Sequence, residues 1–307
     1  MPIRTATGRR LEAGDVSGSV LAHEHLHLDL RTESDAEATL HDTGAVTAEL
    51  ADARRDHDLG LVIDLTCRGM GGDARVVRRI SEDSGVEVVV ATGWYYERFH
   101  PRGEPGTSVE EATELLLADI LGGLDGGILP GVLGEIGSHG ERASDAERTG
   151  LRASARAAVE SGLSLGTHAH LGQGAREQLD LLTAEGLSPH RVSLGHQDLC
   201  DDGRQHVDLA RAGAYIAFDT VGKTGYQSDD RRAELLLDLL EAGFERHLLL
   251  SNDISRDTYL RDRQGQGYGH VLGPFRRMLA DRGVGADVLD LLYRANALRW
   301  LTGSEEP

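Results

Sequence analysis

Short apolar runs recur along this chain and alternate with longer stretches of helical periodicity. Eight of the runs are rich in Val, Ile and Leu: 19–25, 61–66, 87–92, 132–136, 163–168, 191–196, 214–219 and 247–253. Runs of that length and composition predict buried strands. Between them lie segments such as ARVVRRISED, EEATELLLADIL and DRRAELLLDLLEAG, whose apolar residues fall three and four apart. That spacing predicts amphipathic helices. Several of these end at a glycine (Gly162, Gly186, Gly243), which suits a left-handed helix terminus. Eight alternations over roughly 250 residues predict a (β/α)8 TIM barrel in a single domain, 1–307. An open doubly wound sheet alternates similarly, but its site gathers at one switch point. Here polar residues close many different runs, as in a barrel. Residues 1–18 are expected to form a short hairpin under the amino-terminal mouth, and 270–301 the last one or two helices.

The residues that close the runs carry the chemistry. His23 and His25, Glu135, His168, His196 and Asp253 stand at the ends of SVLAHEH, GVLGEIG, LSLGTH, RVSLGH and HLLLSND. Imidazole and carboxylate groups at the carboxyl ends of successive strands are what a two-metal hydrolytic site needs. Residues 23–27 also match the H-E-x-x-H pattern of zinc proteases, which requires a helix. Ala22, Leu26, Leu28 and Leu30 instead alternate with His23, His25, His27 and Asp29, a period of two. On a strand His23 and His25 share one side and Glu24 faces away. His27 and His170 read as ordinary polar residues rather than ligands.

Composition narrows the partners. With 51 acidic against 32 basic residues, the chain is a poor match for nucleic acid or an anionic membrane. The amino terminus lacks the apolar core of a signal peptide and no run approaches a membrane span. Cys67 and Cys200 are the only cysteines, which points to structural thiols and a reducing, cytoplasmic setting. Lys223 is the only lysine, every other basic residue being arginine. A lysine that survives such a bias is a candidate for chemistry.

These residues resemble the phosphotriesterase family of the amidohydrolase superfamily, and especially its phosphotriesterase homology proteins. The matching pieces are AHEHLHLDL (22–30), ATGWYY (91–96), GEIG (134–137), TH (167–168), GHQD (195–198), AFDTVGKTGY (217–226), SNDISR (251–256) and GYGH (267–270). The resemblance implies that His23, His25 and Asp253 hold a buried metal and His168 and His196 a more exposed one. Glu135 would bridge the two, and zinc is the expected metal. The best-known members bridge with a carboxylated lysine on the fourth strand, where this chain has Glu135. That departure weighs against efficient phosphotriester hydrolysis. The resemblance also leaves a homodimer open.

The expected reaction is attack of a metal-bridging hydroxide on an ester or lactone, with Asp253 as general base. Tyr95 is placed to hydrogen-bond the oxygen that gains charge. Lys223 and Arg256 follow strand ends, and Tyr259 lies three residues further on. They suit the phosphate or carboxylate of a small anionic substrate. The competing reading for Arg256 is an ion pair with Asp219 or Asp262, and for Lys223 a surface position. Alternatives for the whole chain are an amidase acting on N-acyl amino-acid-like compounds, a strict phosphotriesterase, and a non-catalytic small-molecule binding barrel. A one-metal deaminase barrel fits poorly with a Glu135 bridge.

Overall fold

The computed structural model describes residues 1–304. Its centre is an eight-stranded sheet: Ser19–Glu24 (β1), Leu59–Asp64 (β2), Glu87–Thr92 (β3), Val132–Ser138 (β4), Leu165–Ala169 (β5), Val192–Leu194 (β6), Tyr215–Phe218 (β7) and Leu248–Leu250 (β8). The strands lie in chain order and every neighbouring pair is parallel. Helices separate them, the longest being Thr43–His57, Val109–Gly122 and Asp145–Ser161. The last of these starts with a capping box in which Ser144 and Glu147 satisfy each other's exposed N–H groups. The fold is a (β/α)8 barrel.

Both termini serve its floor. Ile3–Arg4 pairs antiparallel with Arg10–Leu11 in the expected hairpin. Ile3, Leu11 and Val16 pack with Val20, Ala22, Leu61, Ile63, Val89, Ala91, Ala217 and Leu249, the inward residues of the barrel, and with Trp300 of the final helix. A second, larger cluster fills the layer between strands and helices and takes the alternate residues Leu21, Val62, Val90, Leu133, Ile136, Ile216 and Leu250.

Two breaks in this alternation decide where the site forms. On β1, Leu21 lies opposite Val62 of β2, but Glu24 lies opposite Asp64, so three residues span two. On β4, Leu133 lies opposite Leu165 of β5 and Ile136 opposite Thr167. Each is a bulge of one extra residue, which reverses the faces beyond it. Val20 and Ala22 point inward, so an unbroken β1 would turn His23 and His25 out to the helices. Leu133 points outward, so an unbroken β4 would do the same to Glu135. The bulges turn all three inward.

Several strands are shorter than the sequence suggests. The ladders end at Leu194, Phe218 and Leu250. His196 and Asp253 lie beyond them in left-handed backbone, with φ of 56° and 52°. That conformation is rare for a residue with a Cβ and is found where surrounding structure holds it.

Candidate metal centre

Glu135 occupies the middle of the barrel mouth and is 2% exposed. Its Oε1 lies 3.3 Å from His25 Nε2. Its Oε2 lies 3.3 Å from His23 Nε2, 3.1 Å from His168 Nδ1 and 3.5 Å from His196 Nε2. One carboxylate therefore faces four imidazoles. Asp253 Oδ1 is 3.2 Å from His25 Nε2 and completes the group. All six residues that closed the apolar runs meet in one place.

Two sets of ligand atoms are close enough to hold an ion each: His23, His25 and Glu135, and Glu135, His168 and His196. His23 Nε2 is buried with no hydrogen-bond partner among the described residues. Unpaired buried nitrogens are costly unless something binds them. Nitrogen and carboxylate donors at this spacing fit divalent metals.

The rings are held from behind. Asp219 Oδ2 lies 2.7 Å from His23 Nδ1 and Asp219 Oδ1 2.8 Å from His196 Nδ1. Thr66 Oγ1 is 2.8 Å from His25 Nδ1. Gln178 Nε2 donates to the His168 carbonyl at 2.8 Å. Asp219 is also near enough to His23 and His196 to share an ion with them. Its short contacts to both Nδ1 atoms instead make it the partner that orients the rings and leaves Nε2 facing inward. Sequence reasoning missed Asp219 as a positioning group, although it too closes an apolar run. Nothing in the sequence marks Thr66 or Gln178.

Charge and burial compete throughout. Burial opposes a charged imidazole, but Asp253 and Glu135 outweigh it at His25 and lift it to about 9. Asp219 and Glu135 do the same at His196, lifting it to about 10. Burial also opposes the Glu135 charge, yet His168 and His23 hold that carboxyl well below its usual range. Without metal the site therefore stores protons. Raised histidines stabilise the metal-free fold fully below about pH 6.5, and that contribution fades as pH rises through 9 to 10. Metal loading must expel the same protons. We expect metal affinity to rise with pH from 6 to 9, and proton release on loading to be measurable in weak buffer at pH 7. We also expect the metal-free Tm to fall towards pH 10. Loading without proton release would contradict this assignment.

Above the ligands lies a cavity of about 420 Å³ whose lining includes Tyr95, Lys223, Arg256 and Tyr259, together with Tyr96 and Arg98. Gly137 lets β4 pass close to the aromatic loop, since a Cβ there would sit 2.3 Å from Tyr96 N. The Tyr95 ring lies 4.6 Å from that of His168. Burial, then the Glu135 charge, pushes its phenol well above the ordinary range, so it remains a donor. Lys223 is not a surface residue. It is 7% exposed, and its Nζ contacts Asp253 Oδ2 and lies 4.9 Å above the Tyr259 ring. Arg256 does form an ion pair, but with neither of the partners the sequence offered. Its Nη1 and Nη2 bond Asp35 at 2.9 and 2.6 Å.

His27 lies outside the ligand group, stacked on His41 at 4.9 Å, and lines a separate cavity. His170 lines the main cavity against His139, with ring centroids 4.0 Å apart. Both cysteines are free thiols, and burial raises Cys67 well above its ordinary range.

A sequence profile of the phosphotriesterase family matches residues 1–301. The phosphotriesterase homology protein of Escherichia coli is 32% identical over 284 residues, 92% of this chain and 97% of that one. The chain belongs to the phosphotriesterase family. The crystal structure of that E. coli relative, complexed with phosphate in its active site, superposes with a TM-score of 0.90 over 94% of this chain and 99% of its own. An N-acetyltaurine hydrolase of Salmo salar is 28% identical, covering 86% of this chain and 78% of the relative. A variant of a phosphotriesterase-like lactonase from Deinococcus radiodurans is 28% identical, with a TM-score of 0.84 over 97% of this chain and 99% of its own. Membership in the phosphotriesterase family and these relatives make the protein a metal-dependent hydrolase. No helix among the described residues is long and apolar enough to cross a membrane.

Proposed function

We propose that this protein is a two-metal hydrolase that opens a lactone or ester bearing a phosphate or carboxylate. The observation that carries the reading is the Glu135 carboxylate set within 3.5 Å of four imidazoles. His23, His25 and Asp253 would hold one ion, His168 and His196 the other, and Glu135 both. Two divalent ions, zinc in this reading, supply a nucleophile from water at neutral pH and polarise the scissile carbonyl.

The chain's own groups do the rest. Asp253 stands at the ligand group with Lys223 on its second oxygen. It is the proton acceptor, the role for which a carboxylate at the nucleophile is suited. Tyr95 donates to the oxygen that gains charge. Lys223, Arg256 and Tyr259 receive the anionic end of the substrate. The phosphate in the active site of the E. coli relative supports an anion in this cavity.

A second reading is an amidase acting on an N-acylated anion. The N-acetyltaurine hydrolases among the relatives favour it. Hydrolysis of phosphorylated lactones, simple lactones, N-acyl amino acids, N-acetyltaurine and phosphotriesters by the metal-loaded enzyme separates the two. Turnover of the lactones well above the amides supports the first reading, and the reverse order supports the second.

Lys223 provides the sharper test of the anion. Losing a charge-assisted contact costs about 1.5–3 kcal/mol, roughly one to two powers of ten in substrate capture. Lys223→Ala is expected to lower kcat/KM for anionic substrates by that factor and to leave neutral analogues nearly unchanged, with both metals retained. An equal fall for both substrate classes would make Lys223 a partner of Asp253 alone.

A further inference from the structure

The Glu24 side chain points away from the ligands beside it, yet it is fully buried. Its Oε1 accepts from Ser251 Oγ at 2.8 Å, from Asn252 N at 2.8 Å and from Asn252 Nδ2 at 2.9 Å. Its Oε2 accepts from Ile254 N at 2.8 Å. The backbone donors, Asn252 and Ile254, are the residues on either side of Asp253. Ser251 Oγ accepts in turn from His23 N at 3.1 Å. Asn252 is fixed further by Tyr268 O and Val271 N, each at 3.0 Å, and Tyr268 donates its hydroxyl to the His25 carbonyl at 2.6 Å.

This carboxylate lies where the sheet has no backbone ladder. Neighbouring strands are paired from β1 round to β8, but among the described residues no ladder joins β8 back to β1. Glu24 spans that gap. It also grips the chain around a residue in left-handed backbone, Asp253 with φ of 52°. A side chain without a local reason for that conformation needs an external one. Two oxygens accepting four donors supply it, and only a carboxylate of this length can do so. Glutamine would replace one acceptor by a donor facing another donor, and aspartate would reach one side at most.

We propose that Glu24 is a positioning residue for Asp253, and through it for the metal held by His23, His25 and Asp253. The proposal rests on Asp253 being a ligand, as the proposed function has it. Groups that orient metal ligands are worth roughly 10–100-fold in metal affinity. Glu24→Gln is therefore expected to weaken one of the two metals at least tenfold and the other less than threefold.

The test uses the holoenzyme, with zinc withdrawn by chelator competition and cobalt(II) substituted to give a visible spectrum for each step. Glu24→Asp should lose the same metal as Glu24→Gln, because bridging and not charge is at issue. Ser251→Ala, which removes one of the four contacts, should show a milder loss at the same step. That variant keeps the test available if both Glu24 changes prevent folding. Equal weakening of both metals, an unchanged cobalt spectrum, or wild-type behaviour of Glu24→Asp would each overturn the proposal while leaving the two-metal reading intact. A wild-type protein that takes up only one metal at saturation would overturn both.

Discussion

Glu135→Ala is expected to empty both metal positions and to lower hydrolysis by roughly a thousandfold or more. Of the six candidate ligands, Glu135 is the one shared by the His23–His25 set and the His168–His196 set. Its removal leaves four inward imidazoles with no carboxylate at their centre, and His23, His168 and His196 lose a charge partner lying 3.1–3.5 Å away. Two ions would then repel across a gap that nothing neutralises. Loss of metal forfeits several kcal/mol of transition-state stabilisation, with each 1.36 kcal/mol a factor of ten. Metal content by elemental analysis and kcat/KM on the best substrate check the expectation. Glu135→Ala protein that retains both metals would mean that another group bridges them. Glu135 as the proposed bridge also predicts that the wild type, reconstituted in degassed and in bicarbonate-supplied buffer, reaches equal activity, because that carboxylate is genetically encoded. A bicarbonate requirement would rule Glu135 out as the bridge.

Asp253→Asn should lower kcat by about 10²–10⁴, the usual worth of a positioned general base. The substitution preserves shape and one ligating oxygen but removes the charge that accepts a proton. Lys223 contacts one carboxyl oxygen and His25 faces the other, and the side chain lines the main cavity. Burial opposes the Asp253 charge, and Lys223 and His25 more than compensate, holding its carboxyl well below the ordinary range. Kinetics at saturating metal, with metal content measured in parallel, distinguish the two roles. A variant with wild-type kcat once fully loaded would make Asp253 a ligand and nothing more.

The barrel and the residues that meet at its mouth were legible because both are written locally. Each strand is a short apolar run, and each of these residues ends one, so His23, His25, Glu135, His168, His196 and Asp253 could be found without knowing any contact. What could not be read depends on partners far away in the chain. Asp35 meets Arg256 across 221 residues, and Glu24 meets Ser251 across 227. No periodicity encodes such pairs. Asp219 is an intermediate case: its position at the end of a run was visible, but its role depends on reaching two rings from two other strands. Alternation from Ala22 onward correctly put His23 and His25 on one side. It could not show that this side is the opposite of the one an unbroken continuation from Val20 and Ala22 would give.

That reversal means the lower half of the barrel and its mouth are out of phase. Straightening β1 at its present length would leave the floor contacts of Val20 in place while rotating both imidazoles into the helix layer. The same holds for β4 and the Glu135 carboxylate. Dropping the extra residue would also pair either strand regularly, but would leave these groups facing inward. At the present length of these two strands, regular pairing and an inward-facing site are therefore alternatives.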